Sequence, residues 1–138
     1  MANWCEGKLK VTGKQEDIKR FMMNGLEPVD YFGYTREPLK IDRVGCIQDL
    51  RCWIKGTDRG FLNNINVIFD GNDNQVVTYD FDAEFAYSAS PEELLEIARE
   101  YNLGIEFHGI EECAQYQQDI VIADGKIVKN FGITLDEM

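Results

Sequence analysis

Asp80, Asp82 and Glu84 occupy alternate positions in one continuous alternating run. In an extended chain such positions line one face, so consecutive carboxylates stand about 6.8 Å apart. That is about two steps of the axial charge repeat of one DNA strand, and the row imitates a line of phosphates. The same side chains offer oxygen ligands to a hard cation, but a flat row converges poorly where calcium takes about six to eight oxygens from a bent loop. The loop from Asp70 to Asn74 bends better, yet no glutamate stands twelfth from Asp70, as an EF-hand requires. No metal and no cofactor are expected.

Glu106 and His108 share a face and form a candidate acid–base pair, although such work also needs a pocket and an orienting group. Gly56-Thr57-Asp58-Arg59-Gly60 offers backbone N–H groups and the Arg59 guanidinium to an anion, without the Lys-Ser/Thr ending of a P-loop. Its plainer reading is a turn with Arg59 paired to Asp58 or a neighbour. Tyr31, Phe32, Tyr34 and Trp53 are either anchors for a protein partner or a small local core. Cys46 and Cys52 are six residues apart, Cys5 and Cys113 are isolated and His108 is the single histidine, which excludes the close ligand pairs of a zinc site. Reduced thiols are expected, since four cysteines in 138 residues make no disulfide framework.

Charge gives these candidates a context. The chain carries 14 basic and 25 acidic residues, a net charge of −11. Residues 1–59 hold 11 basic and 9 acidic side chains, whereas 60–125 hold 14 acidic side chains against Arg99 alone. A folded surface built from that stretch attracts basic partners and repels nucleic acid. The length suits one domain. The N-terminus lacks the pattern of a secretory signal and no run of about 18 apolar residues occurs, so a cytoplasmic protein without membrane contact is expected.

The elements that must position the candidates follow from periodicity. Leu9 and Val11 alternate with Lys8, Lys10 and Thr12, which predicts a first strand. Thr12 and Gln15 have capping-box spacing ahead of Ile18, Phe21 and Met22, which predicts a helix ending near Gly25. Ile65, Val67 and Phe69 form a second strand, joined by the turn at 70–74 to a third in which Val77, Tyr79, Phe81, Ala83, Phe85 and Tyr87 oppose Thr78, Asp80, Asp82 and Glu84. Ser90-Pro91-Glu92-Glu93 opens a second helix with the stripe Leu94, Leu95, Ile97, Ala98 and Tyr101, stopped by Gly104. Ile105 and Phe107 mark a fourth strand, and a hairpin over 115–133 turns at Asp124-Gly125.

This order predicts an α+β, ferredoxin-like antiparallel sheet with two helices on one face, in a single domain spanning 1–138. Residues 27–63 are then an insertion between the first helix and the second strand, carrying a short strand near 50–55 or a helical turn and acting as a cap or a binding element. The acidic row falls on the open face of a central strand, where RNA-recognition modules bind, but Tyr79, Phe81 and Phe85 have the opposite parity and leave that face without stacking rings. Lys8 and Lys10 of the neighbouring first strand share the face and offer the row an internal neutralisation.

The opening Met1-Ala2-Asn3-Trp4-Cys5-Glu6, with Leu9-x-Val11-x-Gly13 and Ile18-x-x-Phe21, resembles the start of the YubB-like proteins of plasmids and phages. Phe81-Asp82-Ala83-Glu84-Phe85-Ala86 followed by Pro91, Leu94, Ile97-Ala98 and Tyr101 extends the resemblance, which covers about residues 1–25 and 60–125. It implies a ferredoxin-like fold and a mobile-element origin, and no catalytic residue. The expectation is therefore a non-enzymatic acidic protein of a phage or mobile element in the bacterial cytoplasm, binding a host protein through a basic, nucleic-acid-binding surface, as an anti-CRISPR or anti-restriction inhibitor does. Asp80, Asp82, Glu84, Glu106, Tyr34, Trp53 and Arg59 are its candidate contacts. The alternatives are a small metal-dependent hydrolase or nucleotide-handling enzyme and a structural or housekeeping protein, including a dimer packed through its sheet faces.

Overall fold

The structure is a computed structural model that describes residues 3–29, 45–69, 72–113 and 115–134, without the side chains of 45–50. Eight strands and two helices follow one another as β1 (Trp4–Lys14), α1 (Gln15–Asn24), β2 (Leu26–Val29), β3 (Gly45–Ile54), β4 (Gly60–Ile68), β5 (Val76–Ala86), α2 (Pro91–Tyr101), β6 (Gly104–Glu111), β7 (Tyr116–Ala123) and β8 (Lys126–Thr134). All eight strands join one antiparallel sheet in the order β2-β3-β4-β5-β1-β6-β7-β8. The fold is thus α+β, but the sheet has twice the strands of the expected four-stranded arrangement.

Alternation makes β1 and β5. Leu9 and Val11, and Phe81, Ala83 and Phe85, are buried beneath the helices, while Lys8, Lys10, Asp80 and Asp82 point to the open face. Each helix adds an apolar stripe to the same layer: Ile18, Phe21 and Met22 from α1, and Leu94, Ile97, Ala98 and Tyr101 from α2. The Phe21 and Tyr101 rings meet edge to face at 5.5 Å, which seats both helices on one side of the sheet. Fully burying a side chain such as Phe21 or Met22 contributes roughly 1.5–3 kcal/mol, so this layer is the main source of stability.

The ends of the helices are set differently. Ser90 caps α2, its Oγ accepting from Glu93 N at 3.3 Å with Pro91 in the first turn, and Asn102 in the left-handed region terminates it two residues before Gly104. Thr12 does not cap α1. It stays in β1 and shares a 2.8 Å hydrogen bond with Thr78 of β5, while α1 starts after Lys14 without a side-chain cap.

The described residues of the segment expected to be an insertion, 27–29 and 45–63, extend the sheet. β2 and β3 continue it beyond β4, because the backbone groups of β3 find their partners along the free edge of that strand. Asn64, with φ 52°, resets the parity of β4, so Leu62 and Ile65 both reach the core although they are three residues apart. Beyond Asn63 the strand pairs with β3 and no longer with β5. At the other edge β7 and β8 form the expected hairpin, closed by Asp124 and Gly125 with φ of 53° and 69°, the backbone of a type I′ turn. The alternation of β5 stops at Ala86. Tyr87 takes φ 67° and is 55% exposed, not part of the buried face. Among the described residues, no helix is long and apolar enough to cross a membrane.

Candidate functional site

Directly opposed residues of an antiparallel pair share a face, so the register draws the open face row by row. One row runs Arg51, Asn63, Asp82, Lys8, His108, Asp119, Phe131 from β3 to β8. A second holds Asp80, Lys10, Glu106, Val121 and Lys129. A third holds Trp53, Phe61, Glu84, Glu6, Ile110, Gln117 and Ile133. Asp80, Asp82, Glu84, Glu106 and Trp53 are therefore gathered on one surface. Tyr34, with Tyr31 and Phe32, lies outside the described residues, as does Asp70; Asp73 of that loop pairs with Lys19 at 2.9 Å.

Two of the three carboxylates of the predicted acidic row, Asp82 and Glu84, have a cation each. Lys8 forms an ion pair with Asp82, which raises the pKa of its ammonium by hydrogen bonding and charge attraction, with Asp80 adding to the effect. Arg51, from the segment with no assigned partner in the sequence, reaches over β4 to Glu84 at 2.9 Å, and both side chains are mostly buried, 11% and 15% exposed. Its guanidinium lies 3.7 Å from the centre of the Phe61 ring and 5.2 Å from that of Trp4. Trp4 and Phe61 themselves meet edge to face at 5.9 Å. The open face does carry aromatic rings: beside Trp53 of β3 and Phe131 of β8, β1 contributes Trp4 and β4 contributes Phe61. Sequence reasoning missed both, although Trp4 has the parity of Lys8 and Lys10.

Glu6, Asp80 and Glu106 make no ion pair among the described residues, and neither do Lys10, directly opposite both Asp80 and Glu106, and Lys129 of the same face. Glu6 was not among the expected contacts, and it stands directly opposite Glu84, a like-charge pairing that weakens a sheet unless something neutralises it. Two adjoining depressions open here. One of about 430 Å³ is lined by Glu6, Gly7, Lys8, Asn63, Asn64, Asp82, Ala83 and Glu84. The other, about 580 Å³, includes Glu6, Lys8, Lys10, Asp80, His108, Ile110 and Asp119. Gly7 belongs to both because β1 and β6 approach closely there: a Cβ on Gly7 would lie 1.8 Å from the His108 carbonyl oxygen.

His108 does not act with Glu106. Its Nδ1 donates to Asp119 Oδ1 at 2.7 Å, across the β6–β7 pair. No group of three or more His, Cys, Asp or Glu side chains among the described residues is placed to hold a metal ion.

Arg59 sits at the end of the same face. Its guanidinium covers the Tyr87 ring at 5.8 Å and makes no ion pair with Asp58. The loop before it is closed on itself. Buried Thr57 donates to Ile54 O at 2.6 Å and accepts from Gly60 N at 3.1 Å, while Trp53 Nε1 donates to Thr57 O at 3.1 Å. The Thr57 hydroxyl and the N–H groups of Thr57 and Gly60 are thus used within the turn itself.

The helix face holds a second polar group. Buried Gln118 donates from Nε2 to Ala89 O at 2.8 Å and accepts from Ala89 N at 2.9 Å, fixing the loop into α2. Cys5 lies beside it, its thiol pushed up to about 11 by burial first and then by Glu111 and Glu6. Such a thiol is protonated and unreactive at neutral pH.

Compared with known proteins, the chain matches no family model, no curated protein and no solved structure.

Proposed function

We propose that the protein is a non-enzymatic interaction module of a phage or other mobile element, and that its open sheet face occupies a basic, nucleic-acid-binding surface of a host protein. An inhibitor of anti-CRISPR or anti-restriction type has this chemistry. One observation carries the reading: six carboxylates, Glu6, Asp80, Asp82, Glu84, Glu106 and Asp119, share one open face, and three of them make no ion pair among the described residues. Complementary charge of this kind speeds encounter and selects basic partners. The aromatic and arginine side chains at the Trp4 end add the residue types that anchor protein interfaces. On this reading β4, β5, β1 and β6 with the two helices are a ferredoxin-like unit, since strand order β6-β1-β5-β4 is the order of that fold and β2–β3 and β7–β8 extend it on either side.

The test is capture from a bacterial host lysate at low and high salt, with duplex DNA as competitor. The captured protein should be released by salt and by DNA, and the variant Glu6→Gln, Asp80→Asn, Glu106→Gln should capture little of it. Capture that survives both the triple variant and the competitor would remove the basis of the proposal.

A further inference from the structure

We propose that β8 is a self-association edge: two copies of the chain pair their β8 strands antiparallel about a two-fold axis and join their sheets into one. The proposal stands on the unequal edges of the sheet and is independent of what the open face binds.

The edges of the sheet are β2 and β8, and they offer a further strand different things. β2 has four residues, three of them buried, and Pro28 has no N–H to give. β8 has nine residues and no proline, and beyond the register shift near its turn Lys129 to Thr134 pair with Val121 to Tyr116 without interruption. Alternate residues of a strand direct their N–H and C=O groups to opposite sides, so about half of the β8 backbone groups face away from β7. On that side β8 meets no strand among the described residues. Shortness, proline and charge are what usually close such an edge. Here Lys126 stands beside the turn and only Lys129 lies in mid-strand, with Val128 and Phe131 on either side of it 64% and 40% exposed.

A second copy is the occupant that these features select. Antiparallel pairing about a two-fold axis satisfies the same groups on both strands, and it stops at two copies because β2 is no template for a third. Charge permits the approach at β8 in particular. Each chain carries −11, yet residues 126–134 hold two lysines and no carboxylate. The row of Asp80, Asp82 and Glu84 lies on β5, four strand spacings away. At about 4.8 Å per spacing that is roughly 19 Å, well beyond the screening length of about 8 Å at physiological salt. The two-fold axis is then perpendicular to the joined sheet, so both carboxylate faces look to one side and all the helices to the other.

Sedimentation of the whole protein across the micromolar range should show a monomer–dimer equilibrium that goes no further. Added salt should strengthen it by screening the net charge, the opposite of its effect on a complex with a basic partner. Val128→Lys combined with Phe131→Lys changes two exposed positions, adds like charge along the edge and should abolish the dimer. Amide hydrogen exchange over 126–134 should slow as the concentration of the unaltered protein rises, which decides the matter if the double variant unfolds. A protein that stays monomeric, a dimer that persists in the double variant, or growth beyond two copies would overturn the proposal.

Discussion

Arg51 Nη2 lies 2.9 Å from Glu84 Oε1, joining β3 to β5 across the intervening β4. Because β4 pairs with β5 over only four positions, Gly60 to Asn63, this ion pair is a side-chain fastening between the β2–β3 extension and the inner strands. Replacing Arg51 by Met leaves Glu84 facing Glu6 without compensation. Thermal unfolding should show a loss of about 2–3 kcal/mol, below the value for a fully buried pair since both groups retain some solvent. Arg51→Lys should recover only part of it, because the stacking on Phe61 and Trp4 is lost. An unchanged melting temperature in Arg51→Met would show that the fastening contributes nothing.

Gln118 imitates a strand edge for Ala89, satisfying its N–H and C=O with one amide. Gln118→Leu fills the same space and leaves two buried backbone groups without partners. At roughly 1–3 kcal/mol for each such group, denaturant unfolding should show about 2–4 kcal/mol of lost stability. Gln118→Glu keeps an acceptor but loses the donor to Ala89 O, and should be no better than Leu at neutral pH.

Tyr87 is held at φ 67°, a region that costs a bulky L-residue roughly 1–2 kcal/mol and glycine almost nothing. Tyr87→Gly gives up the Arg59 contact, which as an exposed cation–π pair contributes about 0.5–1 kcal/mol. The expected balance is a small gain, on the order of 0.5 kcal/mol, read as a higher denaturant midpoint. A clear loss would mean that the Tyr87 ring does more for the fold than its 55% exposure suggests.

Alkaline pH should weaken the protein through groups whose pKa values are raised by folding. Cys5 is lifted to about 11 by burial, Tyr101 is raised by burial, and Lys8 is raised by Asp82. A raised folded pKa means the contribution is complete below the unfolded value and is lost as pH climbs through the folded one. For Cys5 that window runs from 9.0 to about 11, with a slope of about 1.4 kcal/mol per pH unit. Melting temperatures should be level to about pH 9 and fall beyond it, less steeply in Cys5→Ala. Alkylation at pH 8 with mass spectrometric readout should modify exposed Cys113 in the native protein, while buried Cys5 and Cys52 react only after denaturation. Rapid native labelling of Cys5 would contradict the depth of its burial.

What the sequence revealed was set by local periodicity. The parity of Asp80, Asp82 and Glu84, and the placement of Lys8 and Lys10 on the same face of the neighbouring first strand, follow from antiparallel strands with unbroken alternation, and the register shows both, with Lys8 opposite Asp82 and Lys10 opposite Asp80. The second helix announced itself through Ser90 and Pro91. Thr12 misled because a threonine three residues before a glutamine also suits a strand, where its hydroxyl finds Thr78.

Partners distant in sequence were hidden. Glu84 takes its cation from β3, a strand whose neighbour β2 has four residues and includes Pro28, too short to show a period. His108 takes its carboxylate from Asp119, in the terminal hairpin, whose first strand pairs with β6. Both contacts depend on which strands are adjacent, and periodicity carries no information about adjacency. Glu6 was legible in principle, since two-residue steps connect it to Lys8 and Lys10.

The central position of β1 has a consequence for how the chain is made. Trp4–Lys14 is made before both of its partners, Val76–Ala86 and Gly104–Glu111. At about 5–20 residues per second, several seconds pass before either neighbour emerges. Through that interval the nascent chain holds a strand with both edges unsatisfied, able to pair with any exposed β-edge it meets. The acidic residues that follow later cannot yet repel such encounters, because residues 1–59, made before them, carry a slight positive excess. Closure of the sheet around β1 therefore comes late, and slowing translation ahead of residue 86 should lower the yield of native protein.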